Sequence, residues 1–160
     1  MVILLDTREN VNDHITKYFD SCGIVYENRL MKTGDYSFRI NACPELGFPI
    51  DTYFTDELCI ERKNSLSEIS GNIVEDSGRI FMEFNRFINI PNVYLLIEED
   101  SLDDIFAHKY KSKLNEIAFL RTILTWQKRN GMYVYFIKKA NIGRLIFEIC
   151  KNCLDESILK

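Results

Sequence analysis

Three side chains between residues 35 and 63 are of types that could hydrolyse a bond at a phosphate group. Asp35 follows Gly34, and Glu61 and Lys63 stand two residues apart. In a strand, alternation places Glu61 and Lys63 on one face. The carboxylates supply oxygen ligands for a hard divalent cation, and the lysine could position or activate water or offset charge on a phosphate. A surface ion pair on an edge strand is the alternative, because so short a spacing also arises by chance.

Further charged side chains follow the first predicted strand. Asp6, Arg8 and Glu9 stand directly after its apolar residues, and ligands commonly bind at strand ends in open α/β sheets. The two acids could also be charges stabilised at a helix N-terminus. Arg79, near the start of a later predicted helix, could hold a phosphate or simply lie on the surface.

The elements that position these residues alternate between strands and helices. Apolar periodicity and turn residues predict strands at Val2–Asp6, Ile24–Leu30, Tyr36–Ile40, Leu58–Lys63, Val93–Ile97 and Met132–Ile137. Helices are predicted from Asn10 to Cys22, after Ser65, and over Arg79–Ile88, Leu114–Arg129 and Ile142–Leu154. The strands of the first half look antiparallel, and Asn41–Asp56 is predicted as a loop or ragged hairpin connection. We expect one domain over residues 1–160, with a three-layer α/β fold and a mixed sheet.

Charge is distributed unevenly along the chain, whose formal net charge is −4. Residues 101–144 carry nine lysines and arginines against three acids, a net of +6. This segment, which includes Lys109, Lys111 and Lys113, could contact phosphates while acids elsewhere bind a cation. A solvated helix face explains the same charges equally well.

Cysteine usage and the N-terminus bear on the compartment. The five cysteines are an odd number, which favours reduced thiols over a closed disulfide framework. Cys150 and Cys153 form a lone C-x-x-C, which we interpret as two core cysteines of a helix. The sequence has no apolar run of membrane-spanning length and no basic leader or other targeting signal. We therefore expect the protein to remain where it is made.

Taken in order, the charged motifs resemble the XPF-type structure-specific nuclease domain of the restriction-endonuclease-like fold. The matching motifs are Asp6-Thr7-Arg8-Glu9, Gly34-Asp35-Tyr36, Glu61-Arg62-Lys63, and Gly78-Arg79 followed by Glu83. Arg129-Asn130-Gly131 is similar to the Arg-Tyr-Gly of compact microbial and phage members, from which Asn130 departs. Asn64 and Glu68 also stand where family members often carry Ser and Asp.

The resemblance implies cleavage of DNA, commonly at branched, flap or fork structures, by an endonuclease dependent on Mg²⁺ or Mn²⁺. Asp35 and Glu61 match the metal ligands and Lys63 the catalytic lysine. Asp6 and Glu9 match supporting acids, with Asp6 a further candidate ligand. Arg62 matches the middle of the motif, although alternation turns its side chain away from Glu61. The candidate DNA contacts are Arg8, Arg79, Lys109, Lys111 and Lys113.

We also expect a homodimer, which the resemblance favours, and, with no targeting signal, a location in the cytoplasm of a microbial or phage-infected cell. The resembling nucleases pair through the second half of the domain, where this chain is rich in large aromatic residues. These are Phe119, Trp126, Tyr133, Tyr135, Phe136 and Phe147. We expect Trp126 at the centre of an interface, whereas Phe136 and Phe147 fill the core. Two alternatives remain: a non-catalytic DNA-binding or partner subunit on the same fold, and an α/β interaction domain without nucleic acid.

Overall fold

The structure, a computed structural model, describes residues 1–159, and their contacts divide the chain into two units. Unit 1 comprises Met1–Ile60 and Ala140–Lys160, and unit 2 comprises Glu61–Lys139. The boundary falls within the strand β5 (Leu58–Lys63), whose first half belongs to unit 1 and second half to unit 2. The predicted α/β class is confirmed, since strands and helices alternate and the strand pairs are both parallel and antiparallel.

The strands of unit 1 are organised around β1, all of whose side chains are buried. The strands are β1 (Val2–Leu5), β2 (Tyr26–Asn28), β3 (Tyr36–Ile40), β4 (Thr52–Tyr53) and the first half of β5. β1 pairs in parallel with β2 and antiparallel with β3, and β3 pairs antiparallel with β4 and β5. A strand buried on both faces explains why β1 is a continuous apolar run.

The helices of unit 1 are α1 (Asp13–Cys22) and α6 (Ile142–Ile158). α1 ends where Gly23 adopts a left-handed conformation, which lets its N–H bond the carbonyl groups of the last helical turn. Gly143 of α6 lies against the ring of Tyr18, and an added Cβ would come within 2.9 Å of that ring. The glycine therefore allows α1 and α6 to approach closely.

Unit 2 contains the second half of β5, two parallel strands and four helices. These elements are α2 (Leu66–Glu75), α3 (Ser77–Asn85), β6 (Asn92–Glu98), α4 (Leu102–Phe106), α5 (Glu116–Asn130) and β7 (Met132–Ile137). β6 and β7 pair in register from Val93↔Met132 to Glu98↔Ile137. The Ser65 hydroxyl caps α2 by accepting a hydrogen bond from the Glu68 N–H. Phe84 of α3 stacks on Trp126 of α5 with ring centroids 4.2 Å apart, which fixes the two helices in one core.

Three predicted strands, β3, β5 and β7, have the predicted bounds. The prediction was wrong at α1, which begins three residues after Asn10, and at β2, which pairs in parallel with β1. The predicted helix Arg79–Ile88 divides into α3 and a 3₁₀ turn over Arg86–Asn89, and α4 was not predicted.

The structure also bears on two further predictions, one about Trp126 and one about membrane-spanning helices. Trp126 is 8% exposed and stacked in the core of unit 2, so the expectation that it centres an interface is wrong. Among residues 1–159 no helix is both long enough and apolar enough to cross a bilayer.

Candidate active site

Lys63 lies between two carboxylates in unit 2. Its Nζ is 2.7 Å from Oε1 of Glu61 and 3.6 Å from Oε1 of Glu83. β5 supplies Lys63 and Glu61 two residues apart on one face, as its strand geometry requires, and α3 supplies Glu83. The side chains of Lys63 and Glu61 are 8% and 5% exposed, while that of Glu83 is 30% exposed. The cluster is therefore mostly withdrawn from water but open beside Glu83.

The pKa of Glu83 reflects this setting. Burial raises the pKa of the carboxyl, but a hydrogen bond with Glu61 and the charge and hydrogen bond of Lys63 lower it more. The net result is a pKa below the ordinary glutamate value. The lowered pKa favours the carboxylate form of Glu83, whose side chain is the most exposed of the three.

Such a cluster is costly if its only role is structural. Desolvating two buried charges can cost more than their attraction returns, and buried titratable groups with specific partners are frequent at functional sites. A buried lysine beside two carboxylates can hold water, donate to a phosphate oxygen, or accompany a hard cation. The competing interpretation of Glu61 and Lys63 as an exposed ion pair on an edge strand is wrong, because both side chains are buried.

Arg62 points to the opposite face of β5, as alternation predicts. Its Nε donates to Oε1 of Glu98 at 2.7 Å and its Nη2 donates to Oε2 of Glu98 at 3.1 Å. Nη2 also donates to the side chain of Asn64. Both members of the ion pair are buried. Arg62 therefore contacts an acid on β6 through a two-point ion pair made by Nε and Nη2.

Asp100, two residues after Glu98, also contacts the chain segment that follows β5. Asp100 accepts a hydrogen bond from the Leu66 N–H at 2.5 Å, so it satisfies a free donor at the start of α2. Glu99 between them has a positive φ of 63°, which is uncommon for a residue with a side chain. Residues 98 and 100 thus bracket the Arg62–Leu66 segment that follows Glu61.

In unit 1, the carboxylate of Asp6 is fully engaged with local donors. It accepts hydrogen bonds from the Arg8 side chain at 2.6 and 3.0 Å, from the Arg8 N–H at 2.9 Å and from the Met31 N–H at 2.7 Å. Burial raises the pKa of Asp6, but these bonds outweigh it and leave the pKa below its ordinary value. A cation bound by Asp6 would have to displace some of these donors.

Asp35 stands next to Asp6 in the backbone pairing of unit 1. Its carbonyl accepts from the Asp6 N–H and its N–H donates to the Ile60 carbonyl, each at 2.8 Å. Gly34 before it has a φ of 72°, and a Cβ there would lie 2.4 Å from Sγ of Cys59. The close approach at Gly34 therefore fixes the backbone of Asp35 beside Ile60.

The predicted DNA contacts differ in how their charges are engaged. Arg8 is paired with Asp6, Arg79 with Asp76 at 2.9 Å, and Lys109 with Asp104 at 2.8 Å. The remaining two, Lys111 and Lys113, are exposed and form no side-chain ion pair within residues 1–159. Glu9 lies near the surface, where its carboxylate accepts a 3.4 Å hydrogen bond from the Val11 N–H.

The donor set fits a hard divalent cation in its chemistry, although its ligand number is small. Glu61 and Glu83 present carboxylate oxygens to one cluster, and Mg²⁺ is commonly held by one or two carboxylates with the rest of its shell completed by water or substrate. Among the described residues, no group of three or more His, Cys, Asp or Glu side chains is arranged to hold a metal ion.

Two acids of the site carried little sequence signal. Glu83 entered only as one element of the family resemblance, because a lone acid on an amphipathic helix is otherwise unremarkable. Glu98 was missed. Its signal is a charged residue directly after the apolar run of β6, where a buried carboxylate needs a cationic partner such as Arg62.

Known proteins share both the sequence pattern and the fold. A family model described as the ERCC4 domain matches residues 5–145. The solved structure "XPF from Aeropyrum pernix" superposes with a TM-score of 0.68 at 17% identity, covering 95% of this chain and 64% of that one. "XPF from Aeropyrum pernix, complex with DNA" has the same TM-score at 16% identity, covering 97% of this chain and 66% of that one. No curated protein matches the sequence significantly.

These matches confirm the predicted resemblance and the three-layer fold with a mixed sheet flanked by helices. At such identities, likeness to the solved structures concerns the fold alone. The chain spans about two thirds of the length of those solved chains.

Proposed function

The chain belongs to the ERCC4 domain family, and from this membership we propose that residues 1–160 form one nuclease domain that hydrolyses phosphodiester bonds within DNA. The observation that carries the proposal is the burial of Lys63 between Glu61 and Glu83. A DNA complex of a protein with the same fold gives it further support. A non-catalytic subunit would gain little from a buried lysine beside two acids, because desolvating these charges costs folding free energy.

In the proposed reaction, Lys63 donates from Nζ to a non-bridging phosphate oxygen or holds the attacking water, and so offsets the charge that develops there. Glu61 orients Lys63 through their 2.7 Å contact. Glu83, held as a carboxylate at the open side, accepts a hydrogen bond from the water. Partial burial excludes bulk water, which strengthens each of these interactions.

Divalent-metal dependence is part of the proposal. A bound Mg²⁺ or Mn²⁺ would polarise the phosphate and lower the pKa of bound water. Glu61 and Glu83 have the appropriate oxygen donors, and the family resemblance adds Asp35, with Asp6 and Glu9 in support. Asp6 could bind a cation only by giving up existing hydrogen bonds, because Arg8 and Met31 occupy its oxygens.

The decisive assay uses end-labelled linear, flap, fork and splayed-arm DNAs, each with Mg²⁺, Mn²⁺ or EDTA. We expect internal cleavage with either metal, none in EDTA, and faster cleavage of the branched substrates. Lys63→Ala is the matched negative control for a contaminating nuclease. Cleavage that persists in EDTA or in Lys63→Ala would contradict the proposal, and equal rates on all four DNAs would remove only the branched preference.

A further inference from the structure

One face of α5 carries three cations that no acid neutralises. Arg121, Lys128 and Arg129 line a shallow groove of about 570 Å³ together with Leu124 and Thr125. All three cationic side chains are exposed, and none forms an ion pair within residues 1–159. None of the described residues that line the groove is acidic. It is thus a cationic surface on a chain whose formal net charge is −4.

The acid nearest in sequence is already engaged. Glu116 is the only acidic residue of α5, and its carboxylate contacts His108 at 2.6 Å. The contrast with Lys109 is direct, because that lysine is tied to Asp104. Neutralised cations contribute little to binding a polyanion, whereas unneutralised ones release the counterions of a bound phosphate chain.

Within unit 2, α5 packs against α3, the helix that supplies Glu83 to the candidate active site. Trp126 of α5 stacks on Phe84, and the Asn130 side chain donates to the Phe84 carbonyl at 3.2 Å. Phe84 is the neighbour of Glu83, whose carboxylate faces Lys63. The helix that carries the three cations therefore packs directly against the helix that carries Glu83.

We propose that the α5 face formed by Arg121, Lys128 and Arg129 binds the sugar–phosphate backbone of DNA. Arg121 and Lys128 are seven residues apart, which is about 10 Å along a helix, and duplex phosphates advance about 3.4 Å per strand along the axis. The face thus matches roughly three phosphates. Leu124, which is uncharged, lies between the cations, and Thr125 adds a hydroxyl group. The proposal deepens the nuclease function and rests on it for its biological meaning.

The test measures binding rather than cleavage, so that it does not depend on turnover. Affinity of the full chain for a fluorescent DNA duplex is measured in EDTA from low to moderate salt, for wild type and for Arg121→Ala/Lys128→Ala/Arg129→Ala. Three lost phosphate contacts should reduce the slope of log K against log salt by about 2.7 and weaken binding at least about tenfold. The matched control is Lys17→Ala/Lys32→Ala/Lys151→Ala, which removes three exposed cations of unit 1.

A reduced slope in the α5 variant, with a near-normal slope in the control, supports the proposal. Equal losses in both would show a general charge effect, and an unchanged slope in the α5 variant would show no contact; either overturns it. Circular dichroism confirms that each variant is folded, and a double charge reversal, Arg121→Glu/Lys128→Glu, gives an independent and larger effect. If the wild type binds through α5 yet never cleaves, the nuclease proposal fails while this inference stands.

Discussion

Arg62 and Glu98 form a buried two-point ion pair behind the strand that carries Glu61 and Lys63. Directional bonds on one face of β5 fix its rotation, and the rotation sets where the side chains of the other face point. Arg62, the middle residue of Glu61-Arg62-Lys63, thus binds Glu98, while its two neighbours belong to the candidate active site.

Removing one partner of this pair should differ sharply from removing both. Glu98→Gln leaves a buried guanidinium without its counter-charge and should cost about 3–5 kcal/mol of unfolding free energy. Arg62→Met/Glu98→Leu removes both charges and should be neutral or stabilising, yet it should still cleave at least about tenfold more slowly, because misplaced groups lose much of their rate. Denaturant unfolding and single-turnover cleavage measure the two effects. A double variant with wild-type turnover would make the pair purely structural.

Glu61 and Asp35 should be needed for metal-dependent cleavage. Glu61→Gln and Asp35→Asn keep the size of each side chain but remove the charge that a divalent cation requires. We expect each variant to lose most cleavage in Mg²⁺ while retaining its fold. Titration with Mn²⁺ provides the measurement, and Glu57→Gln, at the surface before β5, is the control. Normal turnover in both variants would exclude these residues as ligands.

Lys63 should act in turnover more than in binding. Lys63→Ala should abolish cleavage while DNA affinity stays within several-fold, since most phosphate contacts come from other cations. Burial-matched Lys63→Met tests whether packing alone is involved, and it should be equally inactive. Fluorescence anisotropy and gel-based cleavage distinguish the outcomes. Weakened binding with normal turnover would instead make Lys63 a phosphate clamp.

Asp104 should contribute to stability in an acid window. Hydrogen bonds from Lys109 and Ser101 lower the pKa of Asp104 to about 2, from an ordinary value of 3.8. A lowered folded-state pKa gives stability that is present above the unfolded value and is lost as the pH falls from 3.8 towards 2. In Lys109→Ala the Asp104 pKa should rise by a measurable amount in an NMR titration. An unchanged titration would show that the Asp104–Lys109 contact is not populated.

Dimerisation remains a prediction. Because Trp126 is buried, we now expect the exposed tyrosines of β7 to lie in the interface instead. Tyr133 and Tyr135 are 52% and 44% exposed, and both stack with Tyr94 on the β6–β7 pair. Light scattering should report about twice the 18.8 kDa chain mass. Tyr133→Ala/Tyr135→Ala should shift the protein to monomer, whereas the control Leu102→Ala/Phe106→Ala on α4 should not. A monomeric wild type at micromolar concentration would exclude the dimer.

The sequence predicted what depends on local chemistry and missed what depends on tertiary partners. Alternation placed Glu61 and Lys63 together, and the bounds of β3, β5 and β7 followed from apolar runs ended by turn residues. The parallel pairing of β1 with β2 could not be read from β2, since a three-residue strand carries no direction signal. Trp126 looked like a surface residue because its partner Phe84 lies 42 positions earlier, and Glu98 had no partner until folding brought Arg62 to it.

Gly34 has a consequence for recognising relatives of this chain. A side chain there would meet Sγ of Cys59 and the Ile60 carbonyl, so this glycine is required by packing as well as by its backbone conformation. A relative without the carboxylates that we propose as metal ligands would still need the glycine in order to fold. The glycine of the Gly-Asp signature therefore reports on the fold. A genome survey that gives the glycine and the aspartate equal weight would count inactive paralogues as nucleases.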